Sequence, residues 1–188
     1  MDADIVSLSN LQRQVLYGVA DVGAAKVARA KERLRDLNPH VAVEAHPMMF
    51  SAETAETVSR YDLVLDGTDS FITRFAVNAA CVAHAKPLVS GAIGRWTGQV
   101  GVFAGRPCYR CLVADSPPDE ETCAAVGVVG ALAGVVGSMM ALEAIKLMVG
   151  AGEPLTGRLL IYDALAGEAR TVRIGADPEC PVCGLSPA

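Results

Sequence analysis

The chain has 188 residues, 52% of them apolar, with a formal net charge of −5 and a pI near 5.2. That length suits one domain with a sizeable core, and an acidic balance without a long basic block gives no nucleic-acid footprint. The N-terminus, Met1-Asp2-Ala3-Asp4, lacks the basic-then-apolar pattern of a signal peptide. A cytoplasmic, reducing location is therefore the default, and there six cysteines point to metal ligands or reactive thiols rather than disulfides.

Residues 2–6 read as the end of a β-strand. The polar cluster Ser9-Asn10-Leu11-Gln12-Arg13-Gln14 follows, where α/β proteins place ligand groups at the carboxyl ends of parallel strands; on these residues alone a solvated turn is an equal reading. An amphipathic helix is predicted over 22–37, with Val27, Ala30, Leu34 and Leu37 at helical spacing among Arg29, Lys31, Glu32, Arg33 and Arg35. Asn38-Pro39 stops it, because proline disfavours helical geometry in the residue before it. A strand over 41–45, a short helix over 52–60 and a strand over 62–66 come next. The last is a brief apolar run typical of a parallel strand buried on both faces.

A helix over 71–85 and a strand over 87–91 complete a βαβαβαβ order. That order implies a Rossmann-like α/β fold, a mostly parallel sheet flanked by helices. The pattern then changes: a strand over 99–103, and a hairpin of 158–162 with 169–174 around Ala166-Gly167, suggest antiparallel strands added on one edge. Residues 114–122 read as a polar, proline-containing loop. Residues 124–142 carry no charge, which meets the length criterion for a membrane span, and Gly130 and Gly134 even supply a GxxxG spacing. Gly, Ala and Val dominate the run, however, and Glu143 and Lys146 continue the same helix. The expectation is a buried helix whose small residues allow close packing, with no membrane partner.

The strongest chemical signal is the pair of knuckles Cys108-x-x-Cys111 and Cys180-x-x-Cys183. Two such turns can complete a tetrahedral, closed and therefore structural zinc site. Two disulfides or redox-active dithiols are the alternatives; compartment opposes the first and the lack of a thioredoxin-like context the second. Cys81 lies in an apolar helical stretch and reads as a core residue. Cys123 closes a polar loop just before a helix, so it is either a reactive thiol favoured by the helix dipole or an exposed structural one. Asp66-Gly67-Thr68-Asp69 places two carboxylates at a strand end, suited to a divalent cation against phosphates, although Asp69 could equally cap the next helix. If the strand ends converge, Arg13, Lys26 and Asp69 would surround one crevice fit for a triphosphate with magnesium.

Taken together, Asp2-x-Asp4, residues 9–14, Asp21-x-Gly23-x-x-Lys26, Leu37-Asn38-Pro39 and Asp66-x-Thr68-Asp69 resemble the sulfur-carrier-protein adenylyltransferases. These are bacterial relatives of ubiquitin-activating enzymes that serve molybdopterin and thiamine synthesis. Ser90-Gly91-Ala92, Gly98-Gln99, the paired knuckles, Thr122-Cys123, Gly137-Ser138 and Glu143-Ala144-Ile145-Lys146 extend the resemblance over essentially the whole chain.

The resemblance implies that Asp2 binds the ribose of ATP and that Asn10, Arg13 and Lys26 contact its phosphates. Asp69 would organise Mg2+ and the reacting groups, and Cys108, Cys111, Cys180 and Cys183 would hold Zn2+. Cys123 matches a position that forms a covalent link to the carrier in some members. A homodimer is implied, with a ubiquitin-like sulfur carrier protein docking its C-terminal Gly-Gly tail and a cysteine desulfurase or rhodanese as possible sulfur donor.

The chain departs from the family pattern at its front. Members carry a strand and a Gly-rich phosphate-cradling loop ahead of the position matched by Asp2. The expectation is thus a single domain, N-terminally truncated relative to the family, with little carrier-dependent ATP–pyrophosphate exchange. A non-catalytic, zinc-stabilised carrier-binding or scaffold protein is the alternative. A generic dinucleotide enzyme is disfavoured by the lack of Gly-x-Gly-x-x-Gly after any strand.

Overall fold

The first predicted helix forms, but it begins later than its periodicity suggests. In the computed structural model, which describes residues 1–115 and 127–184, helix α1 spans Lys26–Leu37. A 3-10 turn over Val19–Asp21 precedes it, and Gly23 sits at φ +90°, a left-handed conformation that glycine adopts without a Cβ clash. Asn38, extended before Pro39, ends the helix as expected. Of the anticipated apolar stripe, Leu34 and Leu37 remain exposed.

Helix α1 lies in the first of two units into which the chain divides, Met1–Phe50 and Ser51–Ala188. The strand expected over 2–6 does not enter a sheet. It is tied instead to the turn leading into α1: the Val6 amide donates to the Ala24 carbonyl at 2.8 Å and the Lys26 amide to the Asp4 carbonyl at 3.0 Å, leaving one isolated bridge between Ile5 and Ala25. Residues 41–45 form no strand either. Residue pattern alone cannot make a strand, because its backbone groups need a neighbour to complete the ladder.

In Ser51–Ala188 a 3-10 helix over Ala52–Arg60 leads to β1 (Val64–Asp66), α2 (Phe71–Ala83), β2 (Leu88–Ile93) and β3 (Thr97–Phe103). The short helix α3 (Tyr109–Leu112), the long α4 (Gly130–Val149) and the strands β4 (Arg158–Asp163) and β5 (Glu168–Arg173) follow. The strands form one five-stranded sheet in sequence order. β1 and β2 run parallel, with Val64 opposite Leu88; the three remaining pairs are antiparallel, with Val89 opposite Val102, Gln99 opposite Ile161 and Leu160 opposite Thr171.

The α/β class and the antiparallel edge are therefore as expected, whereas the parallel portion is smaller. Among the described residues it is a single pair, since two of the anticipated parallel strands do not form. β1 correspondingly ends the sheet, and Leu65 is half exposed rather than covered on both faces. The β4–β5 turn is held by Asp163, whose Oδ1 accepts the amides of Leu165 and Ala166, with Gly167 at φ +72°.

Helix α4 packs one face on this sheet. Leu132, Val136, Met140 and Ala144, spaced four residues apart, meet Val89, Val100 and Val102 in the core. The close approach comes from glycines of the sheet rather than of the helix. A Cβ on Gly91 would lie 2.2 Å from Met140 Sδ and one on Gly98 2.5 Å from Val136 Cγ2, while Gly134 and Gly137 face open space.

Glu143 is buried on the helix, its carboxylate accepting Lys146 Nζ at 2.7 Å and the Leu155 amide at 2.7 Å. It ties α4 to the segment entering β4. Gly150, at φ +64°, ends the helix. Length and composition would let α4 cross a membrane. The expected burial is confined to one stripe, whereas Leu142, Ile145, Met148 and Val149 are exposed.

Candidate functional site: a four-cysteine centre and the Asp66–Asp69 loop

Cys108 and Cys111 flank the start of α3, and Cys180 and Cys183 sit in turns near the C-terminus. The fold brings all four sulfurs within 4.8 Å of one another. Sγ of Cys108 lies 3.6 Å from that of Cys180, and Sγ of Cys111 lies 3.4 Å from that of Cys183. A disulfide needs about 2.05 Å, and the five described cysteines are free thiols. Metal–sulfur bonds of about 2.3 Å in a tetrahedron put sulfurs roughly 3.7 Å apart, so the cluster fits one metal ion.

The surroundings act differently on the four sulfurs. Cys111 Sγ accepts the Asp177 amide and Cys108 Sγ accepts Asn78 Nδ2, each at 3.5 Å. Burial opposes ionisation at Cys180, but the amides of Cys183 and Val182 outweigh it and bring its thiol down to about 7. Burial holds Cys108 and Cys183 above the ordinary range. Gly184 closes the second knuckle, where any Cβ would come within 2.4 Å of the Cys180 carbonyl. Cys81 is the core residue its sequence context suggests: it is 2% exposed, and burial, then the charge of Asp66, pushes its thiol up to about 12.

The loop after β1 is held from within. Oδ1 of Asp66, which is 3% exposed, accepts the Thr68 amide at 2.9 Å and the Thr68 hydroxyl at 2.8 Å. Its Oδ2 is buried with no partner among the described residues. Ser70, not Asp69, caps α2, its hydroxyl accepting the Thr73 amide. The capping role open to Asp69 is thereby taken, and Asp69 stands exposed at the loop tip.

Within Met1–Phe50, Lys26 opens α1 and is 8% exposed. Its Nζ donates to Asp4 Oδ2 at 2.8 Å and lies 3.9 Å from Asp2 Oδ2. Asn10 and Arg13 share one turn: the Ser7 amide donates to Asn10 Oδ1, the Arg13 amide donates to the Asn10 carbonyl, and Arg13 Nη1 reaches the Ser9 carbonyl. The residues implied for ATP thus fall in two groups: Asp2, Asn10, Arg13 and Lys26 in the first unit, and Asp69 in the second. Cys123 lies outside the described residues.

Sequence reasoning placed Asp4 in a motif without giving it a role, and it missed Arg74, Asn78 and Tyr109. Asn78 had a signal, being an amide in an otherwise apolar stretch of α2 and 1% exposed; such a group demands a partner. Arg74 had none, since a helix arginine usually faces water.

The chain resembles the sulfur carrier protein adenylyltransferase of Thermus thermophilus at 48% identity over all of this chain and 73% of that protein. It is 44% identical to the molybdopterin-synthase adenylyltransferase of Escherichia coli, covering 98% of this chain and 76% of the relative. The adenylyltransferase and sulfurtransferase MOCS3-1 of Zea mays is 42% identical, and the match spans 41% of its length. Among solved structures, E. coli MccB with MccA-N7isoASN superposes with a TM-score of 0.83 at 21% identity, over 98% of this chain and 58% of that one; at that identity the likeness concerns the fold. The family model named ThiF matches residues 1–182, and the chain belongs to the ThiF family.

Proposed function

We propose that the chain adenylylates the C-terminal glycine of a ubiquitin-like sulfur carrier protein, using ATP with Mg2+, in molybdopterin or thiamine synthesis. The observation that carries this reading is Lys26, a buried ammonium fixed at the first turn of α1 by Asp4 and lying beside Asp2. A lysine whose position is set before substrate arrives can meet phosphate without reorganisation.

In the reaction a carrier carboxylate oxygen bonds to the α-phosphorus of ATP, the bond to the β-phosphate oxygen breaks, and pyrophosphate leaves. Two anions must approach, so Arg13 and Lys26 would offset charge on the phosphates, with Asn10 donating beside them and Asp2 accepting from the ribose hydroxyls. Asp69 would hold the divalent cation. The buried, unpartnered Oδ2 of Asp66 supports cation binding at this loop. The Cys123 sulfur would attack the carbonyl of the carrier adenylate, forming a thioester as the bond to the phosphate oxygen breaks and AMP leaves.

Zn2+ suits the four-cysteine centre, which offers only sulfur and leaves no open position; its role is structural. The exposed apolar side chains of α4 support a homodimer, and a cysteine desulfurase or rhodanese would supply the sulfur. A cytoplasmic location accords with free thiols.

The test is carrier-dependent ATP–pyrophosphate exchange, in which readily measured exchange by the wild-type chain would set aside the low level expected from its sequence. Exchange that falls about 100-fold or more in Asp69→Asn supports the reading, since such groups typically contribute that much. Carrier binding without exchange supports a second reading, a non-catalytic, zinc-stabilised carrier-binding protein. The observation favouring the second is that the cysteine centre and the sheet belong to one unit, while Asn10, Arg13 and Lys26 belong to the other.

A further inference from the structure

The Asp69 loop and the four-cysteine centre are joined by a short series of polar contacts through α2. The carbonyl of Thr68 belongs to the peptide bond that carries Asp69, so whatever holds that oxygen sets the direction in which Asp69 leaves the loop. Arg74 holds it with two donors: Nε at 2.8 Å, and Nη2 in a shorter contact. The preceding peptide, Gly67–Thr68, is fixed by Asp66, which accepts the Thr68 amide.

The remaining guanidinium nitrogen of Arg74, Nη1, lies 3.3 Å from the Tyr109 hydroxyl. Tyr109 directly follows the metal-knuckle residue Cys108 and is 5% exposed. Its ring is held by Phe103, edge-on at 5.6 Å, and by Phe75 at 6.2 Å. One turn along α2 from Arg74, Asn78 grips the same knuckle twice. Its Oδ1 accepts the Tyr109 amide at 2.8 Å, and its Nδ2 donates to Cys108 Sγ at 3.5 Å. A guanidinium is a planar fork with little freedom once two of its prongs are engaged, so displacing Tyr109 displaces the Thr68 carbonyl.

We propose that the metal held by Cys108, Cys111, Cys180 and Cys183 sets the position of the Asp69 loop, with Tyr109 and Arg74 as the positioning residues. The proposal rests on the reading of the cysteines as a metal site. Without the ion, the thiols of Cys108 and Cys180 no longer share a centre, and the knuckle that carries Tyr109 is released. With it, the Tyr109 hydroxyl becomes a fixed stop for Arg74. Coupling of this kind is reciprocal: what tightens the loop must also tighten metal retention.

The test uses the full chain loaded with zinc, and compares wild type, Tyr109→Phe and Arg74→Lys by hydrogen exchange, metal analysis and chelator competition. Tyr109→Phe keeps the ring and the cysteines, so it is expected to retain one zinc per chain. Its amides at residues 68–70 should nevertheless exchange about fivefold faster, the equivalent of one hydrogen bond, with the β4–β5 hairpin unchanged. Removing zinc from wild type should loosen the same segment, and removing it from Tyr109→Phe should add little there.

In the reverse direction, Arg74→Lys, which touches no sulfur, should hold zinc about fivefold more weakly in equilibrium competition with a chelator, by the same equivalence. Zinc-loaded Tyr109→Phe with wild-type exchange at residues 68–70, or Arg74→Lys with wild-type zinc retention, would overturn the coupling while leaving the metal site intact. A wild-type chain that takes up no zinc would overturn both.

Discussion

The two units of this chain are stabilised by different interactions. Among the described residues of Met1–Phe50, Val6 is the one fully buried hydrophobic side chain, and it is accompanied by two buried charges, Asp21 and Lys26. Asp21 accepts the Gly18 amide at 2.8 Å and Arg29 Nε at 2.7 Å, and Lys26 is fixed by Asp4. In Ser51–Ala188 a valine-rich sheet face meets the α4 stripe, and a cluster of thiols stands beside α2. The first unit thus depends on charge and hence on pH, the second on shape and on a thiol cluster that fits a metal. The chemistry proposed for each follows the same division, anionic phosphate beside Lys26 and a sulfur-bound ion beside α2.

The largest predicted effect separates the units most sharply. Cys108→Ser removes one of four metal ligands, and because metal binding free energy in such sites is folding free energy, metal should be lost and the melting transition should fall by about 10 °C or more. Calorimetry with metal analysis checks it; an unchanged transition with bound metal absent would show that the second unit does not need the ion. Next is Glu143→Ala. It leaves the half-buried Lys146 and the Leu155 amide without their partner, and an unsatisfied buried donor costs about 1–3 kcal/mol, readable in urea unfolding.

Gly98→Ala should cost about 1–3 kcal/mol through overpacking against Val136. Gly134→Ala, facing open space, should be neutral or slightly stabilising, as expected for a helix interior. Equal costs for the two would mean that α4 does not lie on the sheet as described.

The smallest effect belongs to the first unit and appears only in acid. The Gly18 amide, then Arg29, hold the Asp21 carboxyl below its ordinary value of 3.8. A depressed carboxyl pKa gives stability that is present above the unfolded value and lost as pH falls through the folded one. Unfolding followed below about pH 5 should therefore show a loss in wild type that is smaller in Asp21→Asn. Identical acid profiles for the two would remove Asp21 from the account.

What could be read in the sequence follows from how local each signal is. Each Cys-x-x-Cys turn presents its two sulfurs through local backbone geometry, so the centre was legible although its halves lie far apart in the chain. The Asp66-x-Thr68-Asp69 loop was legible for the same reason. Its supports were not: Arg74 meets Tyr109 across 35 residues and Asn78 meets the Tyr109 amide across 31, and no periodicity encodes such pairs. Residues 2–6 and 41–45 have strand-like composition, yet a strand exists only where a neighbour completes its hydrogen bonds. Helix α4 was legible as a helix but misread in its packing, because the glycines that admit it belong to β2 and β3.

Mass spectrometry of a carrier ending in Gly-Gly, after incubation with the chain, ATP and Mg2+, tests the proposed activation of a carrier carboxylate most directly. The account predicts a carrier bearing AMP on its C-terminal carboxylate, with the adduct lost in Lys26→Ala and in Asp69→Asn. A carrier that binds the wild-type chain and remains unmodified would contradict it.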